Sequence, residues 1–285
     1  MTSSGAPIAA IVLSVRAAPE LVGAVRSLLE QSEVPEIVVV NSGGGDAAAV
    51  LTREGLDVPV IESIPLLNPG AARNRGIAAT TAPVVAFLAQ DCLAAPGWTE
   101  ARLAAHRAGR TAVGSALLHD RPGNPVATAA HLFLYFRRLP GTPGSEALPY
   151  GASYDRTLFE RHGLFREDLR TGEDTEFHAR LPAADRPAWA PAVRTVHRTP
   201  GRVGDLVRDH RDRGRRMVRA RRALGGSTPA RIALGTLKGL APRMMRGLRW
   251  SGPGERVTVL LSFPFMTIGA LAYIFGALTP DRPAD

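Results

Sequence analysis

The 285-residue chain has a single cysteine, Cys92, which excludes an internal disulfide and any zinc site built from several thiolates. A reducing compartment, the cytosol, is therefore expected. Lysine is nearly absent: Lys238 is the only one, so the net charge of +9 is carried by arginine. Acid is scarce in one region. From Arg194 to Arg249, 16 basic residues face only Asp205, Asp209 and Asp212, a local balance of +13 that leaves the rest of the chain slightly acidic. Such asymmetry implies a basic appendage for nucleic acid, an anionic membrane surface or an acidic ligand. No G-x-x-x-x-G-K-[ST], H-E-x-x-H or G-x-S-x-G pattern occurs, so the usual signatures of P-loop nucleotidases, zinc proteases and serine hydrolases are missing. Met1 to Pro7 is short and polar and lacks the basic-then-apolar order of a signal peptide, so nothing is expected to export the main domain.

What is present alternates. Ile8 to Val15 reads as a strand, and Pro19-Glu20 opens a helix with Leu21, Val22, Val25, Leu28 and Leu29 on one face. Ile37 to Val40 is a second buried strand, ending in Asn41-Ser42-Gly43-Gly44-Gly45-Asp46. That glycine run lacks the G-x-G-x-x-G spacing and follows the second strand, which argues against a dinucleotide fingerprint. A helix over Ala47 to Glu54 and a strand over Val58 to Glu62 follow. Asn68-Pro69-Gly70 then starts a short helix bearing Arg73, and Val84 to Leu88 is a near-continuous apolar run read as a strand buried on both faces. This alternation predicts an α/β fold with a mostly parallel sheet flanked by helices.

Chemistry-bearing groups fall at element ends. Gln90 and Asp91 close the strand over Val84 to Leu88, at the carboxyl edge where open α/β sheets bind ligands, although an acid there also serves as a turn or cap. Pro96-Gly97-Trp98 starts a helix through His106, and Ala112 to Leu118 is a further strand. His119 to Pro149 is Pro- and Gly-rich around an aromatic cluster, His131 to Phe136, and reads equally as a substrate-covering loop or as core packing. Tyr150 to Asp155 reads as a turn, and Thr157 to His162 as helical. A helix over Gly172 to Leu181 carries Glu173 and Asp174 in its first turn, where they cap the macrodipole or face a cleft as a general base.

Taken in order, EIVVVNSGGGD, NPGAARNRGIAATTAPVVAFLAQDC with PGW behind it, GASYDRTLFERHGLF and GEDTEFHARL resemble the family 2 glycosyltransferases of the GT-A fold, over roughly Ile8 to Arg198. The resemblance implies a Rossmann-like α/β domain that binds a nucleotide-diphosphate sugar and a divalent cation, Mg²⁺ or Mn²⁺, and transfers the sugar with inversion. It puts Ser14 and Asn41 at the nucleotide, Asn41 standing where the family has an Asp that reads the base. Arg73 matches the arginine of the family's A-R-N element beside the diphosphate. Asp91 matches the last acid of the D-x-D motif and is the expected metal ligand, with Gln90 as a neutral donor-site neighbour and Ala89 where the first acid is expected. His197 resembles the histidine that completes the metal site in some members. Asp174 aligns with the catalytic base, with Glu173 beside it. With half the acidic pair missing, Arg73 or an arginine near Arg194 to Arg202 is expected to take a larger share of leaving-group stabilisation.

Beyond this domain, assigned to residues 1–200, lie two further segments. Residues 201–250 form a basic amphipathic region: Val203, Leu206, Val207, His210, Met217, Val218 and Leu224 make a narrow apolar stripe on an arginine-covered helix, Asp205 to Leu224. A second helix, Arg231 to Arg249, is expected to bend at Pro242. Residues 251–285 include Val257 to Leu278, 22 residues without charge. As one helix this run is roughly 33 Å long, enough for one membrane span, with a buried or re-entrant helix as the alternative. Arg243, Arg246, Arg249 and Arg256 before it, against Asp281, Arg282 and Asp285 after it, predict a cell-membrane protein with its catalytic domain on the cytoplasmic side and its C-terminus outward. The expected partners are a nucleotide-diphosphate sugar donor, a lipid-linked or envelope glycan acceptor and an anionic membrane surface. Sparse aromatics in the arginine block argue against nucleic acid. With no Q-x-x-R-W motif and no further spans, single addition is expected over processive synthesis. Two alternatives stay open: a catalytically weak sugar-nucleotide-binding relative, prompted by Ala89 and Asn41, and a basic membrane- or nucleic-acid-binding protein.

Overall fold

The computed structural model describes residues 6–148, 150–223 and 228–279. In chain order the elements are β1 (Ile8–Val15), α1 (Glu20–Leu29), β2 (Glu36–Ser42), α2 (Ala47–Arg53), β3 (Val60–Ser63), α3 (Pro69–Ala78), β4 (Val84–Ala89), β5 (Cys92–Ala94), α4 (Trp98–Arg107), β6 (Ala112–His119) and α5 (Pro125–Tyr135). There follow β7 (Tyr150–Asp155), α6 (Thr157–His162), α7 (Glu173–Arg180), β8 (Ala188–His197), α8 (Val203–Ala223), α9 (Pro229–Lys238), α10 (Leu240–Trp250), α11 (Arg256–Leu261) and α12 (Phe263–Leu278). The chain divides into two compact units, Met1–Leu117 with Ala147–His197, and Leu118–Glu146 with Arg198–Asp285.

The first unit holds one mixed sheet of order β3-β2-β1-β4-β7-β6-β8-β5. β1 pairs in parallel with β2 and β4, and β2 with β3, whereas β7 runs antiparallel to β4 and β6, and β8 to β5. The apolar runs are continuous because both faces are covered. Ile8, Ala10 and Val12 of β1 and Val84, Ala86 and Leu88 of β4 pack with Leu21, Val25 and Leu28 of α1. The intervening Ile11, Val85 and Phe87 turn to the opposite core, with Ile77 of α3 and Phe177 of α7. Period-two alternation thus survives inside a run with no polar residues.

One expectation is corrected here. Tyr150 to Asp155, read as a turn, is strand β7, which lies between β4 and β6 in the middle of the sheet. Its Gly151, Ala152 and Ser153 carry little intrinsic strand signal, and the pairing with Val84 to Ala86 supplies what propensity does not. β5 and β8 close the sheet's far edge, with Cys92 directly opposite His197.

The second unit is helical. Phe133 of α5, Val218 of α8, Met244 of α10 and Met266 and Tyr273 of α12 share one core. The segment around His131 to Phe136, which the sequence left between loop and core, is therefore largely core helix. Along α8 the expected stripe is seen in Leu206, His210 and Val218, which are buried, while Val203, Val207 and Met217 stay partly exposed and Leu224 lies outside the described residues. His210 sits against the Phe133 ring at 4.7 Å, and burial pushes its imidazole down to about pKa 4, so it packs as a neutral ring.

The helix expected to bend at Pro242 is broken outright, and so is the charge-free run read as one helix. Arg231 to Arg249 divides at Gly239, because the Pro242 ring excludes the carbonyl four residues before it. The charge-free run divides at Ser262, with 53° between Pro253–Leu261 and Phe263–Leu278, and Pro264 acts there in the same way. Among the described residues no single helix is long and apolar enough to cross a membrane; only this bent pair meets the length and composition together. Asp281, Arg282 and Asp285, used for the orientation expectation, lie outside the described residues.

Candidate active site

Of the expected donor-site residues, Ser14, Asn41 and Gln90 lie at the carboxyl ends of β1, β2 and β4, whereas Arg73 stands on α3 at a separate pocket and Asp91 clusters with Cys92 and His197. Ser14 and Asn41 are register partners across β1 and β2. Just beyond Ser14 the chain makes a tight excursion in which Arg16 and Ala17 both have positive φ, 55° and 47°. Non-glycine residues rarely hold this conformation, and two in succession need support. Asn41 gives it: its Oδ1 accepts from Ala17 N at 2.9 Å, while its Nδ2 donates to Glu62 Oε2 at 2.7 Å and to Gly44 O at 3.1 Å. The amide that the resemblance assigns to a nucleobase is fully buried with both ends engaged. Glu62, which the sequence analysis did not single out, also accepts from Ala47 N at the start of α2. Gly45 lies against the same turn, where a Cβ would sit 2.7 Å from the Arg16 carbonyl.

Gln90 is fixed just as definitely. Its Oε1 accepts from Ser14 Oγ at 2.9 Å and from Val15 N at 3.0 Å. A backbone N–H can only donate, so the amide oxygen must face it, and the NH₂ end is left for a ligand. Sequence reasoning gave Gln90 a neutral oxygen to offer. The structure makes it a donor.

A pocket lined by Arg73, Phe87, Gly151, Ala152, Tyr154, Asp174 and His178 lies where α3, β4, β7 and α7 meet. Arg73, the fifth residue of the proline-initiated α3, stacks over Phe87 and Phe165 at 5.3 and 5.2 Å and pairs with Glu173. The side chains of this pair are only 17% and 8% exposed. Glu173 thus neutralises Arg73, while the adjacent Asp174 faces the pocket and uses one oxygen, Oδ1, on Thr175 N. His178, one turn on, meets the Tyr154 hydroxyl at 2.7 Å. Burial lowers the His178 pKa against an opposing pull from Asp174, and burial raises that of Tyr154, so both are neutral near pH 7. Neither was singled out from sequence. The i, i+4 spacing of Asp174 and His178 was the available signal.

A third cluster forms at the sheet edge. His197 Nε2 lies 3.5 Å from Asp91 Oδ2, and the Cys92 thiol 3.7 Å from Asp91 Oδ1. One ligand atom from each of these residues falls within 4.8 Å of the others. Carboxylate, imidazole and thiol are all donors for a divalent cation, so the set fits one. Ala89 contributes nothing, and the oxygen of Gln90 is committed elsewhere. Cys92 is the member that sequence reasoning missed.

Residues 10–163, more than half of the chain, match Glycosyl transferase family 2. The chain belongs to that family. Among curated relatives, this family 2 chain is 32% identical over 202 residues to the Pre-mycofactocin glycosyltransferase of Mycobacterium tuberculosis, covering 67% of this chain and 40% of that protein. It is 27% identical over 205 residues to Succinoglycan biosynthesis protein ExoU of Rhizobium meliloti, covering 64% and 59%. The chain thus spans about half the length of the curated relatives it matches. Among solved structures, S. aureus TarS 1-349 in complex with UDP aligns at TM-score 0.52 with 14% identity, over 95% of this chain and 88% of that one. The mannosyltransferase PcManGT from Pyrobaculum calidifontis, in complex with GDP-Man and Mn2+, aligns at 0.50 with 18% identity, over 99% and 78%. These likenesses establish the fold, a GT-A-like mixed sheet flanked by helices, as the sequence predicted.

Proposed function

We propose that this family 2 chain transfers a sugar from a nucleotide-diphosphate donor to a lipid-linked or envelope glycan hydroxyl, with inversion and with Asp174 as general base. The observation that carries this reading is the asymmetry of the adjacent acids. Glu173 is spent on Arg73, whereas Asp174 opens on the pocket. In the transfer, the acceptor oxygen forms a bond to C1 of the sugar as the bond from C1 to the diphosphate oxygen breaks. The electron pair leaves on the diphosphate, and the acceptor proton passes to Asp174. Neutral His178 and Tyr154 floor the pocket without adding a competing charge.

Asp91 and His197, with the Cys92 thiol beside them, would hold the divalent cation. Its chemistry there is neutralisation of the diphosphate charge. Gln90 directs its NH₂ donors toward the donor molecule, and Ser14 keeps it turned that way. Asn41 and Glu62 shape the turn beside the nucleotide. Support for a nucleotide-sugar donor comes from the family and from the GDP-Man and UDP bound to neighbours of the same fold. The relative named for succinoglycan biosynthesis supports a glycan acceptor. The basic, apolar second unit supports residence at the cell membrane, with the first unit on the cytoplasmic side.

The test is a thermal-shift panel of nucleotide sugars with and without Mn²⁺ or Mg²⁺, followed by turnover of the best donor. A donor-specific rise in melting temperature, with turnover lost in Asp174→Asn, is expected. Donor binding without turnover under any acceptor and metal would favour the second reading, a sugar-nucleotide-binding relative, for which Ala89 is the specific motive.

A further inference from the structure

The run Val257 to Leu278 has two unlike surfaces. One is packed: Met266, Ala270 and Tyr273 of α12 lie in the core of the second unit. There α8 approaches so closely that a Cβ on Gly214 would lie 2.0 Å from the Tyr273 carbonyl, and one on Gly276 2.0 Å from that of Arg211. The other surface is bare. Leu271, Phe275 and Leu278 are 56%, 57% and 56% exposed at helical spacing, and α11 continues the patch with Val257 and Leu260 at 65% and 58%. Scattered exposed leucines need no explanation, but a contiguous patch of this kind marks a contact surface.

What covers it follows from three observations. First, α12 alone has 16 residues, about 24 Å at 1.5 Å per residue, which falls short of the hydrocarbon thickness of a bilayer. Second, α8 carries the partly exposed ion pairs Arg208–Asp205, Arg213–Asp209 and Arg215–Asp212. Drawing α12 through a bilayer would either take these charges into hydrocarbon or pull α12 off its core. Third, no Asp, Glu, Lys, Arg or His lies between Arg256 and Thr279, while Arg256 opens α11 and Arg211 of α8 borders α12. Arg211 stacks over the exposed Phe275 ring at 4.9 Å, so a cation on a long apolar stem borders the apolar face, the pairing an anionic lipid interface accommodates.

We propose that α11 and α12 lie in the plane of one leaflet of an anionic phospholipid membrane, so that the chain inserts without crossing. Leu271, Phe275 and Leu278 enter the acyl layer, and Arg211 and Arg256 meet lipid phosphates. This rests on the membrane residence proposed above and narrows it: Thr279 stays on the same side of the bilayer as the residues that precede α11, in place of the outward end expected from flanking charge.

The experiment uses the full chain, whose sole native cysteine is buried and does not compete for maleimide. A Thr279→Cys variant in spheroplasts is expected to react with a membrane-impermeant maleimide only after lysis. In flotation assays the purified chain is expected to bind phosphatidylcholine vesicles containing phosphatidylglycerol and to leave them in high salt or without the anionic lipid. Leu271→Asp and Phe275→Asp alter residues that are already exposed, so melting in detergent should be unchanged while vesicle partitioning falls about tenfold or more for each. Labelling of Thr279→Cys in intact spheroplasts would establish a crossing and overturn the proposal. So would a stable soluble dimer that hides the patch and ignores vesicles. Sugar transfer is measured separately in detergent, so loss of the enzymatic reading would leave these outcomes independent.

Discussion

Two polar regions of the first unit are built on opposite principles. At the carboxyl ends of β1 to β4, Asn41 bonds to Glu62 and Gln90 to Ser14, each also to the backbone, and the oxygen of Gln90 and both ends of Asn41 are consumed. At the start of α7, one acid is consumed so that its neighbour stays free: Arg73 takes Glu173, and Asp174 is left facing the pocket. The first region is closed on itself, whereas the second leaves one carboxylate open to the pocket, where the proposed function needs a base. A residue's type alone does not tell which, because Asn41 and Asp174 both sit at element ends where ligands bind.

The largest effect expected from this contrast is on turnover. Asp174→Asn should lower kcat by at least about 100-fold while donor-induced thermal shifts persist, because a general base contributes ~10²–10⁴. Turnover within about twofold of wild type would end the distinction between the two acids. Glu173→Gln should act on stability instead, at about 1–3 kcal/mol in urea unfolding, since it strands a largely buried guanidinium. Asn41→Ala should cost about 1–3 kcal/mol through the Arg16–Ala17 turn. If that variant melts normally but loses donor affinity, Asn41 reads the base and belongs with the reactive region.

A second closed network offers a pH test. His106 Nε2 bonds to Ser153 Oγ at 2.9 Å, with Asp155 Oδ1 3.6 Å from its other nitrogen, an arrangement like a nucleophile triad. Ser153 is wholly buried, however, and its hydroxyl oxygen already accepts from Arg102. Burial, with Arg102 second, pushes the imidazole from 6.5 down to about 4. Between those values the unfolded chain takes up a proton that the folded chain does not. Stability should therefore hold above pH 6.5 and fall below it, by about 1–2 kcal/mol between pH 7 and pH 5. The partly exposed Asp155, whose carboxyl desolvation raises, offsets part of this loss. His106→Asn should flatten the profile. The smallest effect is expected for Gln90→Ala: donor affinity down less than about tenfold, near 1 kcal/mol. An increase in affinity would mean that its NH₂ end does not face the donor.

How much of this was legible depended on where the information resides. β1, β2 and β4 follow from local apolar runs, and α3 and α7 from Pro69 and the acidic first turn, so sequence located them and the residues at their ends. β7 escaped because Gly151 to Ser153 have no strand signature without β4 and β6 beside them. Cys92 and Tyr154 escaped for the same reason: each meets its partner across a separation that no local pattern encodes. The apolar run after Arg256 was legible as a run, but its break at Ser262 and its division into a packed and a bare face depend on Pro264 and on the close approach of α8 at Gly214 and Gly276.

The ladder between β5 and β8 sets Cys92 opposite His197, and so fixes the side of the sheet from which His197 reaches Asp91. Side chains alternate along a strand, so one residue inserted just upstream of His197 would turn its imidazole to the far face. Such an insertion, about a hundred residues along the chain from Asp91, would part the two side chains as surely as deleting His197 itself: hydrogen-bond registry is the ruler that gauges their spacing.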